Sequence, residues 1–509
     1  MMRKMMRRIY SPAVCLLLAA FILITAVPME ASAKVGYTYN YDFWGDTQYS
    51  PDAYEVSTVV NAASLGLDLN LMAPEGLCVL GDMIYICDTG NNRILELKRI
   101  STEKVELVRV IDSFTAPADY EKPLTFSKPS DITVTSDGYM YIADQSNYRV
   151  LKLDMDLNFV MEFLKPTDTT FNQEMEFSPK KIAIDTAGRL YCTAVSVNQG
   201  LLKYEPDGSF TGFFGATPVT YNLWDYIWKR WLSTQAQRDQ MADFVPTEYS
   251  NIYMDYEGFI YATIIGAEDA DVLDGKLNVV RRLNLLGNDI LIRNGEFDII
   301  GDLYYGETEG YIGASKFSDI TALENDVYVA LDRNRGRLFV YDEQGRLMFA
   351  FGGGGTVEGC FRYASAIDHM GHDLLVLDSS ASSLTVFTPT EFGGLVYRAI
   401  EEFQSGFYTE SGNTWREVME LNGNYDLAYI GIGRALFQEK KYKEAMEYFK
   451  LKYDEENYSR AFKQYRKEWV EDNIGLVIAA AFLVLCLPLI IGKIKAIKFE
   501  IDRAEIFIK

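Results

Sequence analysis

The chain has 509 residues, room for roughly two to four domains and a large core. Aromatic residues make up 14% and there are only two histidines, which favours strands and argues against histidine-based catalysis or histidine-rich metal sites. The formal net charge is −23; with residues 1–33 (net +3) and the tail from Lys493 (net +2) set aside, the body carries −28. A body that acidic repels polyphosphate and excludes nucleic-acid binding through a general electrostatic field.

Residues 1–33 read as a signal peptide. Arg3, Lys4, Arg7 and Arg8 precede an apolar run centred on residues 16–27, and Ala31-Ser32-Ala33 supplies an A-x-A cleavage pattern. Cys15 lies inside that run, so a lipoprotein cysteine just after it is not supported. The Tyr-rich residues 37–56, with Trp44, are expected to supply a strand that closes the following domain into a ring.

Residues 34–392 are dominated by one recurring pattern: a small or Pro-containing entry, an apolar strand, a Gly/Asp/Asn turn, an aromatic strand, a polar loop and another apolar strand. The first copy runs from Ala73-Pro74 through the turn Gly81-Asp82 to Tyr85-Ile86-Cys87-Asp88 and Asn91-Asn92-Arg93-Ile94. The second begins at Lys128-Pro129, turns at Asp137-Gly138 and reaches Asn147-Tyr148-Arg149-Val150. Copies three to six centre on Leu190-Tyr191-Cys192, Ile260-Tyr261-Ala262, Val327-Tyr328-Val329 and Leu374-Leu375-Val376. Short strands with tight hairpins imply four-stranded antiparallel blades. A blade cannot bury both faces alone, so six must stack around an axis as a β-propeller.

Tyr85-Ile86-Cys87-Asp88-Thr89-Gly90-Asn91-Asn92-Arg93-Ile94 resembles the NHL-repeat signature, and residues 141–150 are a second match. The resemblance covers about residues 70–392 and implies an all-β six-bladed propeller of NHL type; copies three and four lack the Asp and the Asn-Arg pair. It specifies fold better than function, since such propellers include binding platforms and a few lyases. Asp88/Arg93 and Asp144/Arg149 suit loop-bracing ion pairs. Cys78 and Cys87 fall diagonally on adjacent strands, which leaves a disulfide open, although four buried thiols (with Cys192 and Cys360) is the simpler reading.

Between copies three and four, a helical insert at about 219–243 places Trp224, Trp228 and Trp231 on one helix face. That stripe either packs the helix on the propeller rim or binds a protein or carbohydrate partner. Asp269, Asp271 and Asp274 form an acidic loop cluster in copy four; the spacing misses an EF-hand and allows weak Ca²⁺ binding at most, with no other cofactor expected. The connection Gly352–Gly355 lacks the Lys-Ser/Thr of a phosphate loop. His369 and His372 are expected in the first hairpin turn of copy six, away from the binding face.

After the ring, residues 393–470 switch to helical periodicity. Ala428, Gly433, Leu436, Tyr442, Ala445 and Phe449 resemble a tetratricopeptide (TPR) repeat, echoed by Tyr458, Ala461 and Tyr465. This TPR-like neck leads to 19 uncharged residues, 474–492, which rise about 28 Å and suffice to cross a bilayer core. Lys493, Lys495 and Lys498 follow, so the positive-inside bias puts residues 493–509 in the cytoplasm and the propeller outside. The expected function is a membrane-tethered extracytoplasmic binding or scaffold protein. The resemblance fits a solute-uptake accessory. The alternative is a metal-dependent propeller enzyme, lactonase-like or a lyase, using Asp, Asn, Glu or His that converge on inner-strand ends.

Overall fold

In the computed structural model, the residues described are 36–215, 248–306 and 311–508. They form a six-bladed β-propeller followed by six C-terminal helices. Two compact units emerge: one holds residues 54–388, and the other joins residues 40–53 to the helices from 389 onward.

Each blade is a hairpin meander whose strands follow the chain outward from the axis. Blade I comprises Gly76–Leu80, Met83–Asp88, Arg93–Ser101 and Lys104–Ile111, and blades II, III and V repeat that order. Among the described residues blade IV has three strands, starting at Asn251–Met254. In blade VI the inner three strands (Ala364–Met370, Asp373–Asp378, Ser383–Pro389) are completed by Tyr54–Val60 from the far end of the chain. The ring-closing strand was expected within 37–56; most of it lies just beyond, and Tyr39 pairs instead with Ala350 of blade V. Val56 and Val60 suit an edge strand better than the turn-rich stretch before them, where Gly45 needs a positive φ.

The second strand of each blade is buried on both faces because a neighbouring blade covers each side. Ile84, Ile86, Leu95 and Leu97 of blade I meet Leu375, Leu377, Leu384 and Val386 of blade VI in one apolar cluster, which seals the ring. At the blade IV–V boundary tyrosines do this work: Tyr328 stacks on Tyr341 at 5.4 Å within blade V and meets the tilted ring of Tyr261 from blade IV at 5.3 Å. Burying these faces is the main stabilisation, at roughly 25 cal/mol per Å² of apolar surface.

The helices are α1 (Asp269–Leu273, inside blade IV), α2 (Glu391–Gln404), α3 (Tyr408–Leu421), α4 (Asp426–Gln438), α5 (Tyr442–Leu451), α6 (Glu455–Asp472) and α7 (Ile474–Ile508). Helices α2 to α6 pack consecutively, so five helices fill the stretch in which the pattern marked one clear TPR-like copy and a weaker echo. Small residues set the close approaches: a Cβ on Gly433 would lie 2.6 Å from the Phe449 ring, and one on Gly431 would lie 2.3 Å from the Trp415 indole. Gly433→Val should therefore cost about 1–3 kcal/mol by overpacking. Thermal unfolding followed by helical circular dichroism checks this, and an unchanged transition would contradict it.

Helix α7 is long and apolar enough to cross a membrane, with mean hydropathy 3.0 and none of its apolar window buried. The expected signal peptide lies outside the described residues.

Candidate functional site

The inner strands line the axis, and on that side their backbone groups have no strand partner. Unpaired buried N–H and C=O groups are costly, so side chains must satisfy them. The device is a repeated irregularity. Pairing register shifts at the start of the inner strand in blades II, III, V and VI, between Pro129 and Asp131, Pro179 and Lys181, Phe317 and Asp319, and Ala364 and Ala366. The extra residue of each bulge re-aims successive side chains toward the next blade. Ser130 Oγ donates to Pro179 and Lys180 carbonyls, Ser318 Oγ to that of Ala364, and Ser365 Oγ to that of Pro74.

The following residue builds the first axial tier. Asp131 Oδ2 accepts from Ile182 N at 2.9 Å, and Asp319 Oδ2 accepts from Ile367 N at 2.9 Å, so each carboxylate stitches its blade to the next. Asp319 Oδ1 accepts from Ile320 N (2.7 Å) and from the Asn251 amide. Lys181 reaches across from blade III: its Nζ donates to the Glu75 carbonyl (3.2 Å) and lies 3.4 Å from Asp131 Oδ1. Gly76 makes this approach feasible, since a Cβ there would lie 2.8 Å from the Asp131 Cα.

Burial dominates the electrostatics of this tier. It pulls the Lys181 ammonium down, but Asp131, Asp319 and Glu75 outweigh it and hold the group above the ordinary lysine range. Burial pushes Asp131 up against the opposing pull of Lys181 and the backbone N–H groups. Burial likewise pushes Asp319 up, to about 7, against the pull of Lys181 and of the Ile367 and Ile320 N–H groups.

Two residues along each inner strand lies the second tier. Cys78 Sγ accepts from Val134 N, and Asp368 Oδ2 accepts from Val79 N at 2.7 Å, which stitches blade VI to blade I. Thr321 Oγ1 lies 3.4 Å from Asp368 Oδ1 and 2.8 Å from His369 Nδ1, with the Tyr253 hydroxyl 3.4 Å from that nitrogen. Burial drives the Tyr253 phenol well above its usual range, so it stays protonated. A His–Thr–Asp chain of this kind can fix a histidine tautomer and move a proton.

The histidine expectation is therefore corrected in part. His372 is in the hairpin turn, where its carbonyl accepts from the Tyr54 hydroxyl, but His369 belongs to the inner strand and joins the axial cluster. The inner strand runs on to Met370, which pairs with Asp373, so the turn is confined to Gly371 and His372.

Asp269 and Asp271 stand in the first turn of α1 and Asp274 caps its end, so this stretch is a short helix where a loop was expected. Asp269 binds Lys316 Nζ (2.9 Å) and Ala314 N (3.1 Å); these contacts overcome its partial burial and hold the carboxyl below the usual range. Lys276 pairs with Asp274 at 2.7 Å and approaches Asp271 at 4.0 Å. The three carboxylates thus face lysines and do not converge on a common cation. Among the described residues no group of three or more His, Cys, Asp or Glu is placed to hold a metal ion. In the first tier the resident cation is the Lys181 ammonium.

Trp224, Trp228 and Trp231 lie outside the described residues. The loop braces are as expected: Asp88 pairs with Arg93 at 2.7 Å and Asp144 with Arg149 at 2.8 Å, each carboxylate also accepting the backbone N–H of Met72 or Ser127. Cys78 and Cys87 form no disulfide; Cys87 and Cys192 are buried as expected, whereas Cys78 and Cys360 are only partly buried.

Sequence reasoning missed Asp131, Lys181, Asn251 and Asp319. A signal was available: Ser130-Asp131-Ile132, Lys180-Lys181-Ile182, Ser250-Asn251-Ile252 and Ser318-Asp319-Ile320 align, with a polar residue in the same place before a conserved-in-repeat isoleucine.

No protein-family model matches the chain, and no curated protein matches it either. Among solved structures, it is similar to a catalytically inactive virginiamycin B lyase from Staphylococcus aureus with quinupristin, at 12% identity and TM-score 0.36, over 62% of this chain and 80% of that one. A streptogramin B lyase structure matches at 12% identity and TM-score 0.40, over 67% of this chain and all of the other. A protein of unknown function from Bacteroides thetaiotaomicron matches at 11% and 0.39, over 70% of this chain and 76% of its own. At such identities and TM-scores, no residue role or activity is carried over to this chain.

Proposed function

We propose that this chain is a single-pass membrane protein whose propeller is a binding or scaffold module on the outer side, facing a protein or carbohydrate partner. The observation that carries this reading is the use made of the axis. Asp131, Asp319 and Asp368, the carboxylates on the inner strands that a propeller enzyme would need, each accept a backbone N–H of the next blade. Side chains held this way build the ring and are poorly placed to exchange partners during turnover. Helix α7 supports the tether, and the lysines that follow its apolar stretch favour a cytoplasmic tail. An accessory role beside a solute-uptake system belongs to the same proposal, as does the TPR-like neck as spacer or second binding surface.

Crosslinking and pull-down from native membranes tests this, comparing wild type with the Trp224/Trp228/Trp231→Ala variant. Capture of a defined partner, lost in that variant while the propeller stays folded, is the expected result. A purified chain that captures no partner but turns over lactones in an EDTA-sensitive manner would overturn it. That second reading, a propeller hydrolase or lyase, draws on the His369–Thr321–Asp368 chain and the Tyr253 hydroxyl of the second tier.

A further inference from the structure

We propose that Phe43, Trp44 and Tyr453 form a stacking platform for a neutral carbohydrate chain, a site separate from the propeller axis. Within the helical unit, the Phe43 ring lies 5.1 Å from Trp44, edge to face, and 5.0 Å from Tyr453; Trp44 and Tyr453 are 6.1 Å apart. Trp44 is nonetheless 72% exposed and Tyr453 56% exposed. Large aromatic rings clustered this openly forgo burial that the fold could have used, and an amphipathic ring face is what pyranose C–H groups stack against.

The backbone that carries each exposed ring adopts a defined local conformation. Asp42 Oδ1 accepts from Trp44 N (2.9 Å) and Asp46 N (3.0 Å), while Oδ2 accepts from Gln48 Nε2 (3.1 Å), which fixes the turn carrying the indole. Tyr453 follows the C-terminus of α5 at φ +57°, a left-handed position where glycine would be unstrained. A bulky ring kept there makes sense when the ring itself is needed. Preorganised aromatic surfaces lose little entropy on binding.

Charge selects the occupant. Asp46, Glu455 and Glu456 are exposed in the two chain segments that carry the rings, and Asp454 caps α6 beside them. The nearest cation in sequence, Lys452, is engaged by Asp426 at 2.6 Å and by the Tyr429 ring. Acceptor-rich, anion-repelling surroundings suit sugar hydroxyls and disfavour acidic polymers or anionic lipid. The rings touch one another, so no cage is open between them for a quaternary ammonium group. Membrane headgroups are disfavoured by position too: α6 has 18 residues, a rise of about 27 Å, between Tyr453 and the apolar helix.

The inference rests on reading the chain as a binding protein, and its test separates the two. Full-length protein in detergent micelles is measured by affinity electrophoresis through dextran, mannan, soluble starch and hydroxyethylcellulose, with polygalacturonate and choline chloride as controls. At least one neutral polysaccharide should retard the wild type, and Trp44→Ala should weaken that at least tenfold. Tyr453→Gly should weaken binding while leaving thermal stability equal or higher, since it removes the ring and relieves the backbone; a merely structural tyrosine would lose stability instead. Retardation by none of the four, preference for polygalacturonate or competition by choline, or equal binding by Trp44→Ala overturns the platform. Concentration-dependent self-association lost in Trp44→Ala, without glycan binding, also overturns it in favour of a contact between copies. Partner capture that persists in Trp44→Ala leaves the propeller-face proposal standing.

Discussion

Replacing Lys181 by methionine should destabilise the propeller by about 3–5 kcal/mol, the cost of leaving a buried charge without its partner. The ammonium is almost fully buried, 3.4 Å from Asp131, and it ties the Glu75 carbonyl of blade I to blade III across the axis. Methionine keeps most of the volume, so a cavity contributes little and the loss reports charge. The remedy is equally specific. Adding Asp131→Asn removes the orphaned carboxylate while keeping an acceptor oxygen for Ile182 N, and should recover more than half of the loss. Denaturant unfolding of the two variants and the single Asp131→Asn completes the cycle. A lysine loss below about 1 kcal/mol, or strict additivity, would refute a coupled axial pair.

The second large effect is a dependence on pH that runs opposite to ordinary acid unfolding. Asp319 titrates near 7 in the folded chain against about 3.9 unfolded, because burial outweighs the pull of Lys181 and of the Ile367 and Ile320 N–H groups. Between those values the native state holds the extra proton. This group's contribution is therefore fully present below about pH 4 and is lost as pH rises through about 7. The upper bound of this contribution is on the order of 4 kcal/mol. Asp131, also shifted upward, adds in the same direction. Unfolding free energies measured at several values from pH 5 to 8 should fall across that interval in the wild type, and the slope should flatten in Asp319→Asn. An identical slope in both proteins would assign the effect elsewhere.

The two predictions concern residues that the repeats contain but do not advertise. The repeat signature is written by groups that act within one blade. Gly81 and Gly138 supply positive φ for hairpins, and Asp88 and Asp144 brace the loop of their own copy through Arg93 and Arg149. Contacts between neighbours in sequence leave a local pattern, so they could be read directly. Asp131 and Asp319 act on the next blade, on Ile182 and Ile367 about fifty residues on, and Lys181 on Glu75 more than a hundred back. Nothing in the local pattern marks a residue whose partner is that distant. The bulges that aim these side chains are likewise a property of the paired strands.

His369 illustrates the same limit on a smaller scale. The expectation put both His369 and His372 in the hairpin turn; the strand instead continues to Met370, which puts His369 on the inner strand, near Thr321 of another blade. Period-2 geometry makes such a shift decisive, because each step along a strand reverses the side chain. The acidic triplet shows the converse. Asp269, Asp271 and Asp274 invite a cation as a string of letters, whereas Lys316, forty-seven residues away, and Lys276 answer their charge.

By itself, the sequence determined that six copies of one antiparallel unit form a ring, that helices follow it, and that a final apolar helix is long enough for a bilayer; the four strands expected of every blade are not met in blade IV, which has three among the described residues. Those properties depend on periodicity, turn chemistry and hydropathy, which are local. Only the tertiary structure decided how the ring closes, with Tyr54–Val60 completing blade VI, and which polar residues meet at the axis. Closure and convergence bring together groups that the chain separates by fifty to three hundred residues, and burial then sets their charge.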